Sequence, residues 1–352
     1  MSRYFSEKFS DLEAYVPGEQ PKDQQYIKLN TNENAFPPHP AVAEAAEREA
    51  RKLHLYPDPE CAELRKTLAE RLQLAPEELT ITNGSDEVLN FAFMAFCDPF
   101  IPAVFPDITY GFYPVFARLN QIPYREIPLQ EDLTIRVEDY RQTAGTIFIA
   151  NPNAPTGIAL SKEQIEKILD MNPYNLVVVD EAYVDFGAES CLSLIREHDN
   201  LLVTQTFSKS RSLAGGRLGF GAANPEIIRD LETIRYSTNP YNLDRMTLAA
   251  GTACLEHDDY NTENCDKIIR TREKTRRALE RLGFDVTPSK ANFLFARHPE
   301  IGGEELYRKL KERGILIRHF STERIKDYNR ISIGTDEQME ILVQQISEIV
   351  PA

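Results

Sequence analysis

The stretch Thr206-Phe207-Ser208-Lys209-Ser210-Arg211-Ser212-Leu213-Ala214-Gly215-Gly216-Arg217-Leu218-Gly219-Phe220 is the key to the chain. It follows Leu201-Leu202-Val203, an apolar run that reads as a buried strand, so its polar residues fall where that strand ends. In open α/β sheets ligands bind along that edge. Thr206, Ser208 and Arg217 supply compact hydroxyl donors and a planar guanidinium fork, a set suited to a phosphate. Gly215 and Gly216 let the backbone turn sharply or approach a ligand. A phosphate held this close to Lys209 implies that the lysine reacts with something attached to it. The group an amine attacks most readily is an aldehyde, giving an imine.

At 352 residues the chain is long enough for two domains, and an apolar fraction of 42% supports a sizeable core. Lys and Arg total 40 against 55 Asp and Glu, a formal charge of −15, which argues against nucleic acid as a partner. An acidic shell around a basic pocket still suits small anionic substrates. The five cysteines are scattered and form no close pair, so neither a disulfide framework nor a zinc site is indicated, as in a reducing compartment. The six histidines show no ligand spacing either. No apolar signal core opens the chain and no run of 18 apolar residues occurs, so a cytoplasmic protein without a membrane partner is expected.

Strand and helix signals alternate. Leu79-Thr80-Ile81-Thr82 reads as a strand, followed by Asn83-Gly84-Ser85-Asp86-Glu87 and an apolar helix from Val88 to Phe96. Gly then Ser at a helix start exposes free N–H groups as an anion site, although Ser and Asp also cap helices routinely. Further strands are Ala103-Val104-Phe105, Thr146–Ala150 and Leu176–Val179; the last ends in Asp180-Glu181-Ala182-Tyr183. Ser161 opens a helix with a capping-box pattern. Aliphatic runs separated by helices predict a largely parallel central sheet covered on both faces, with its polar ends gathered along one edge. Residues 224–256 and 259–282 read as helices, and the shorter elements beyond them predict a smaller α/β domain. The expected organisation is an irregular N-terminal arm over 1–35, a large domain over 36–250 and a small domain over 251–352.

Thr-x-Ser-Lys, then Ala-Gly, then Arg-x-Gly-Phe resembles the lysine segment of the fold type I pyridoxal-phosphate aminotransferases. Tyr15-Val16-Pro17-Gly18 and Leu29-Asn30-Thr31-Asn32-Glu33-Asn34 are similar to the N-terminal landmarks of the histidinol-phosphate aminotransferase family. The resemblance implies pyridoxal 5′-phosphate on Lys209. Asp180 would then face the ring nitrogen, Tyr110 stack on the ring and Tyr183 donate to the phenolate oxygen. The phosphate would be gripped by Thr206, Ser208, Arg217 and the backbone of Ser85 and Asp86, with Gly84 giving room. Tyr56, in Leu55-Tyr56-Pro57, matches a tyrosine that completes this grip from the partner subunit, which implies a homodimer with a shared active site. The family carries Asn immediately before Pro-Thr-Gly, where this chain has Ala154, so either the neighbouring Asn153 is redirected to take over the second contact to the phenolate or that contact is weaker. Arg330 matches the arginine that binds the substrate carboxylate; Arg318, with Tyr15, matches the contacts to a substrate phosphate.

The reaction implied is transfer of the amino group of L-histidinol phosphate to 2-oxoglutarate, giving imidazole-acetol phosphate and L-glutamate in histidine biosynthesis. The same fold also serves aminotransferases of aromatic amino acids and threonine-phosphate decarboxylases, which use the same lysine and phosphate groups. A non-catalytic cofactor-binding sensor is the alternative from another class. Such regulators carry a DNA-binding segment, which residues 1–35 do not resemble.

Overall fold

A computed structural model describes residues 2–10, 12, 14 and 18–351. Its centre is a seven-stranded sheet in the order Leu79–Thr82, Gly219–Ala223, Leu201–Thr206, Val177–Asp180, Thr146–Ala150, Ala103–Pro106, Tyr124–Ile127. The last five strands run parallel, and Gly219–Ala223 is antiparallel to both its neighbours. Successive side chains of a strand face opposite sides. Val177, Val179, Leu201 and Val203 accordingly enter one apolar cluster, while Val178, Leu202 and Phe148 enter another across the sheet. Burial on both faces explains why these strands are continuous apolar runs rather than alternating ones.

Two strands escape a reading by hydrophobic run. Tyr124–Ile127 is a half-exposed edge strand of mixed composition, Tyr-Arg-Glu-Ile. Gly219–Ala223 is wholly buried yet made of small residues, and it takes in the end of the glycine-rich stretch that follows Lys209. It is small because helix Ser85–Phe96 presses on it. A Cβ on Gly219 would sit 2.3 Å from the Ser85 nitrogen, and one on Gly221 would sit 2.9 Å from a methyl of Val88. That helix also begins at Ser85, one turn ahead of the apolar run from Val88.

A four-stranded antiparallel sheet follows, in the order Arg318–His319, Tyr328–Ser332, Phe293–Arg297, Asp285–Val286. Helices Asp258–Arg281, Gly303–Glu312 and Asp336–Ser347 pack their buried apolar faces into its core. The N-terminal segment belongs to this core: Ile27–Lys28 pairs in parallel with Ile315–Leu316, and Leu29 is buried there. Ser332 N–H donates to the Leu29 carbonyl at 3.0 Å. The chain just before Asn30 is therefore a strap tied to the C-terminal sheet. Among the described residues no helix is long and apolar enough to cross a membrane.

Candidate functional site

The parallel register sets the site. Ala150 lies beside Asp180, and Asp180 beside Thr204, so the ends of three strands open into one cavity. Its lining includes Ser85, Asp86, Tyr110, Ala154, Asp180, Tyr183, Thr206, Ser208, Lys209 and Arg217. Residues far apart in the chain meet because each follows the end of a strand.

One end of this cavity is built to hold an anion. Helix Ser85–Phe96 starts after Gly84, whose φ of 75° is in the left-handed region and which supplies no side-chain cap. Its first N–H groups, with the positive end of the helix dipole, face the cavity. The Thr206 hydroxyl donates to Ser208 Oγ at 3.0 Å and accepts from the Ser208 N–H at 3.1 Å, fixing both residues at the strand end. Arg217 Nη2 donates to Asp86 Oδ2 at 3.1 Å. A Cβ on Gly84 would meet Arg217 Nη2 at 2.8 Å, so glycine leaves the guanidinium its place.

The deep end holds Asp180. Its oxygens accept from the Ala182 N–H at 3.1 Å and, at 3.4 Å, from the hydroxyl of Tyr113. Burial pushes its carboxyl up to about 7, against the Ala182 hydrogen bond, and Asp180 makes no ion pair among the described residues. A buried carboxylate in this state favours a cation brought to it. Burial, then the Asp180 charge, push the Tyr113 hydroxyl well above its ordinary value, so it remains a donor. Tyr110 caps the same wall; its hydroxyl donates to Asp86 Oδ1 at 2.7 Å.

Lys209 sits between the two ends, its Nζ 3.4 Å from the Thr31 carbonyl and 5.7 Å from the centre of the Tyr183 ring. The Asn34 side-chain amide donates to the carbonyls of Lys209 and Ser210 at 3.0 and 3.2 Å, and Asn32 Nδ2 donates to the Tyr183 hydroxyl at 3.0 Å. On the outer side a second cavity continues past Tyr110, Ala154, Tyr183 and Lys209 to Arg318 and Arg330. Arg330 Nη2 donates to the Asn30 carbonyl at 3.3 Å.

Two of the expected site residues lie elsewhere. Asn153 does not line the cavity: its amide donates to the Ile108 carbonyl at 3.0 Å and Thr156 Oγ1 at 3.1 Å, and its oxygen accepts from Thr109 Oγ1 at 2.8 Å. Both amide hydrogens are occupied in the loop, so Asn153 is not redirected to replace the amide missing at Ala154. Tyr56 is 77% exposed, stacked on Tyr241 with ring centres 4.6 Å apart, and outside the lining within this single chain. Tyr15 lies outside the described residues. Conversely, Thr31, Asn32, Asn34, Tyr113 and Gly219 hold the site together without having been singled out for it. Asn32 carried a usable signal: asparagine tolerates the left-handed conformation, and Asn32 has a φ of 57°.

Residues 24–346 match the model of the aminotransferase class I and II family. The chain is 47% identical to the histidinol-phosphate aminotransferase of Brachyspira hyodysenteriae over 99% of both chains. It is 49% identical to that of Acinetobacter baylyi over 98% of this chain and 96% of the relative. The chain belongs to the histidinol-phosphate aminotransferases of class I and II. Among solved structures, the histidinol-phosphate aminotransferase of Sinorhizobium meliloti, in complex with pyridoxal 5′-phosphate, superposes with a TM-score of 0.84 at 25% identity, covering 93% of this chain and 91% of that one. The fold is thus that of the fold type I aminotransferases. The site of this histidinol-phosphate aminotransferase chain fits such a cofactor: an uncapped helix start beside Arg217 for a phosphate, a buried carboxylate lacking a cation, and a lysine between them.

Proposed function

We propose that this chain uses pyridoxal 5′-phosphate to transfer the amino group of L-histidinol phosphate to 2-oxoglutarate, forming imidazole-acetol phosphate and L-glutamate, a step of histidine biosynthesis. The observation that carries the reading is the convergence of Lys209, Asp180 and Tyr183 with the anion cradle on one side and with Arg318 and Arg330 on the other. When bound, the cofactor supplies an aldehyde for an amine and an electron-withdrawing ring for the carbon beside it.

The protein's own residues do the rest. The backbone N–H groups of Ser85 and Asp86, with Thr206, Ser208 and Arg217, would hold the phosphate as an anchor. The Asp180 carboxylate keeps a ring nitrogen protonated by answering its charge in a buried place. The Tyr110 ring offers a flat face for stacking. With the cofactor bound, Lys209 Nζ would accept a proton from the substrate carbon and return it as a general acid. Arg318 and Arg330 bind the phosphate of the amino donor in one half of the cycle and a carboxylate of the 2-oxo acid or glutamate in the other.

We also propose a homodimer, in which Tyr56 of each protomer reaches the phosphate of the other. Supporting it, Leu53, Leu55, Tyr56, Tyr236 and Tyr241 are all exposed large apolar side chains, and the Tyr236 hydroxyl reaches the Pro59 carbonyl, bringing two of these segments together. The separate apolar cores support a large and a small domain; Ala253, Cys254 and Leu255 join the large core, so the division falls after helix Arg245–Glu256 rather than at 250. The net charge of −15 supports an enzyme that takes small molecules rather than nucleic acid.

The test is a half-reaction panel. Protein loaded with pyridoxal phosphate is mixed separately with L-histidinol phosphate, L-phenylalanine and L-glutamate, and the visible spectrum is followed. Rapid loss of the visible band with histidinol phosphate and with glutamate supports the assignment. A response to phenylalanine and glutamate alone assigns an aromatic aminotransferase instead.

A further inference from the structure

The Tyr183 hydroxyl has one hydrogen to give, and the structure settles where that hydrogen does not go. Asn32 Nδ2 donates to the Tyr183 oxygen at 3.0 Å. The Asn32 amide is held this way round by its Oδ1, which accepts from Ser332 Oγ at 2.9 Å while Ser332 Oγ accepts from the Asn32 N–H, also at 2.9 Å. The carbonyl of Asn32 is pinned as well, accepting from Asn292 Nδ2 at 3.0 Å. Asn32 is 1% exposed, so water does not compete for these groups. With its acceptor side filled, Tyr183 must turn its hydrogen elsewhere, and the Tyr183 side chain lines the cavity that holds Lys209. The ring itself is fixed edge-on against Phe293, with centres 5.1 Å apart at 90°. Ala154, across the same wall, packs its methyl with Ala291 and Phe293 and donates nothing, and the Asn153 amide hydrogens are both occupied elsewhere.

We propose that Asn32 is a positioning residue for Tyr183: its amide aims the phenolic hydrogen at the bound cofactor and strengthens Tyr183 as a donor, in a chain that lacks the amide donor at 154. A hydroxyl that accepts a hydrogen bond donates a stronger one, because the two polarise each other. The inference rests on the proposed use of pyridoxal phosphate. It also ties the N-terminal strap to the reaction, since Ser332, which fixes the amide, ends the strand that carries Arg330.

The measurement is the pH midpoint of the visible absorbance of the holoenzyme, which reports protonation of the Lys209 nitrogen joined to the cofactor. Weakening the donor to the cofactor's ring oxygen leaves more negative charge there, which holds the nearby proton more tightly and raises the midpoint. Asn32→Gly keeps the left-handed backbone and removes the amide. Asn32→Asp keeps the shape but offers an acceptor, which draws the Tyr183 hydrogen away. Both are expected to raise the midpoint, by about half a unit or more and most for Asn32→Asp, as expected when a hydrogen bond to the charged form is lost. In a Tyr183→Phe background Asn32→Gly should not shift it further, and Asn32→Asp should shift it only by what its added charge contributes. Asp180, Asp86, Arg217 and Lys209 in the cavity, Glu33 beside Asn32, and Arg318 and Arg330 on the outer side are the same throughout. Should the Asn32 variants fail to fold, Ser332→Ala frees the amide to rotate and is expected to give a smaller rise. An unchanged midpoint in folded variants that still carry the visible band overturns the inference, as does an equal shift by Asn32→Gly in the Tyr183→Phe background, which would show an effect not routed through Tyr183. If the wild-type protein forms no visible band with the cofactor, the proposed function itself is what fails.

Discussion

Arg318 stands directly opposite Arg330 across the antiparallel pair formed by Arg318–His319 and Tyr328–Ser332. Like charges in such a position oppose folding. Phe320 offsets part of this, with the two guanidinium carbons 5.8 and 5.7 Å from its ring centre. A pair of cations held side by side at the mouth of a cavity is suited to an anion wide enough to meet both.

Replacing either arginine should therefore cost binding rather than folding. Hydrogen bonds to a charged group contribute about 1.5–3 kcal/mol, so kcat/KM should fall roughly 10- to 100-fold for Arg330→Gln. Arg318→Gln should fall by a similar factor with the phosphorylated donor and by less with glutamate. Half-reaction rates measured with each substrate check this, alongside melting temperatures, which separate lost binding from lost folding. Equal losses with both substrates would remove the phosphate preference of Arg318.

Lys209→Ala should abolish turnover and leave the fold intact. The only hydrogen bond of Nζ among the described residues is the 3.4 Å contact with Thr31, so little packing is lost. Proton transfer by a positioned side chain typically contributes about 10²–10⁴-fold, which sets the minimum loss in kcat. Residual turnover above one part in about 10² of wild type would remove Lys209 from this role.

Gly219→Ala should damage the anion cradle from behind. The added Cβ would meet the Ser85 nitrogen at 2.3 Å and the Gly84 carbonyl carbon at 2.4 Å, both backbone atoms, so the helix start must move. Overpacking of this kind costs about 1–3 kcal/mol. A weaker grip on inorganic phosphate and on pyridoxal phosphate, with a lower melting temperature, is expected. Unchanged affinity for both would mean that the helix start does not hold the phosphate.

The strand ends are legible in the sequence because chemistry follows directly on an apolar run, as Asp180 follows Val177-Val178-Val179 and Lys209 follows Leu201–Thr206. Parallel strands buried on both faces have no other place for polar groups. Gly219–Ala223 is not legible in this way, because its small residues answer to the pressure of a helix more than a hundred positions earlier. Asn153 is misread for a related reason: its neighbours in the chain suggest the cavity, but its hydrogen bonds close its own loop. The work of Asn32 depends on Ser332, 300 residues away, and no local pattern encodes that distance. Tyr56 shows a further limit, since its proposed partner is on a second chain.

Asp180 should make the cofactor-free protein lose stability as pH rises. Burial lifts its carboxyl to about 7, while in the unfolded chain the same group sits near its ordinary 3.8. Below the unfolded value both states are protonated and nothing is lost. Between the two values the folded state keeps a proton that the unfolded state has released, so stability falls with pH and levels off above about 7. About three units correspond to roughly 4 kcal/mol. Glu181, buried and also lifted to about 7, adds a slope in the same direction, so the comparison must be with Asp180→Asn, which keeps Glu181. In urea melts of cofactor-free protein, wild type should lose ground to Asp180→Asn from pH 5 to about pH 7 and then run parallel to it. With pyridoxal phosphate bound, a protonated ring nitrogen answers the carboxylate, and the gap should stop widening with pH. A gap that ignores pH without the cofactor would mean that Asp180 is ionised and well solvated in the folded chain, which would remove the reason for it to seek a cation.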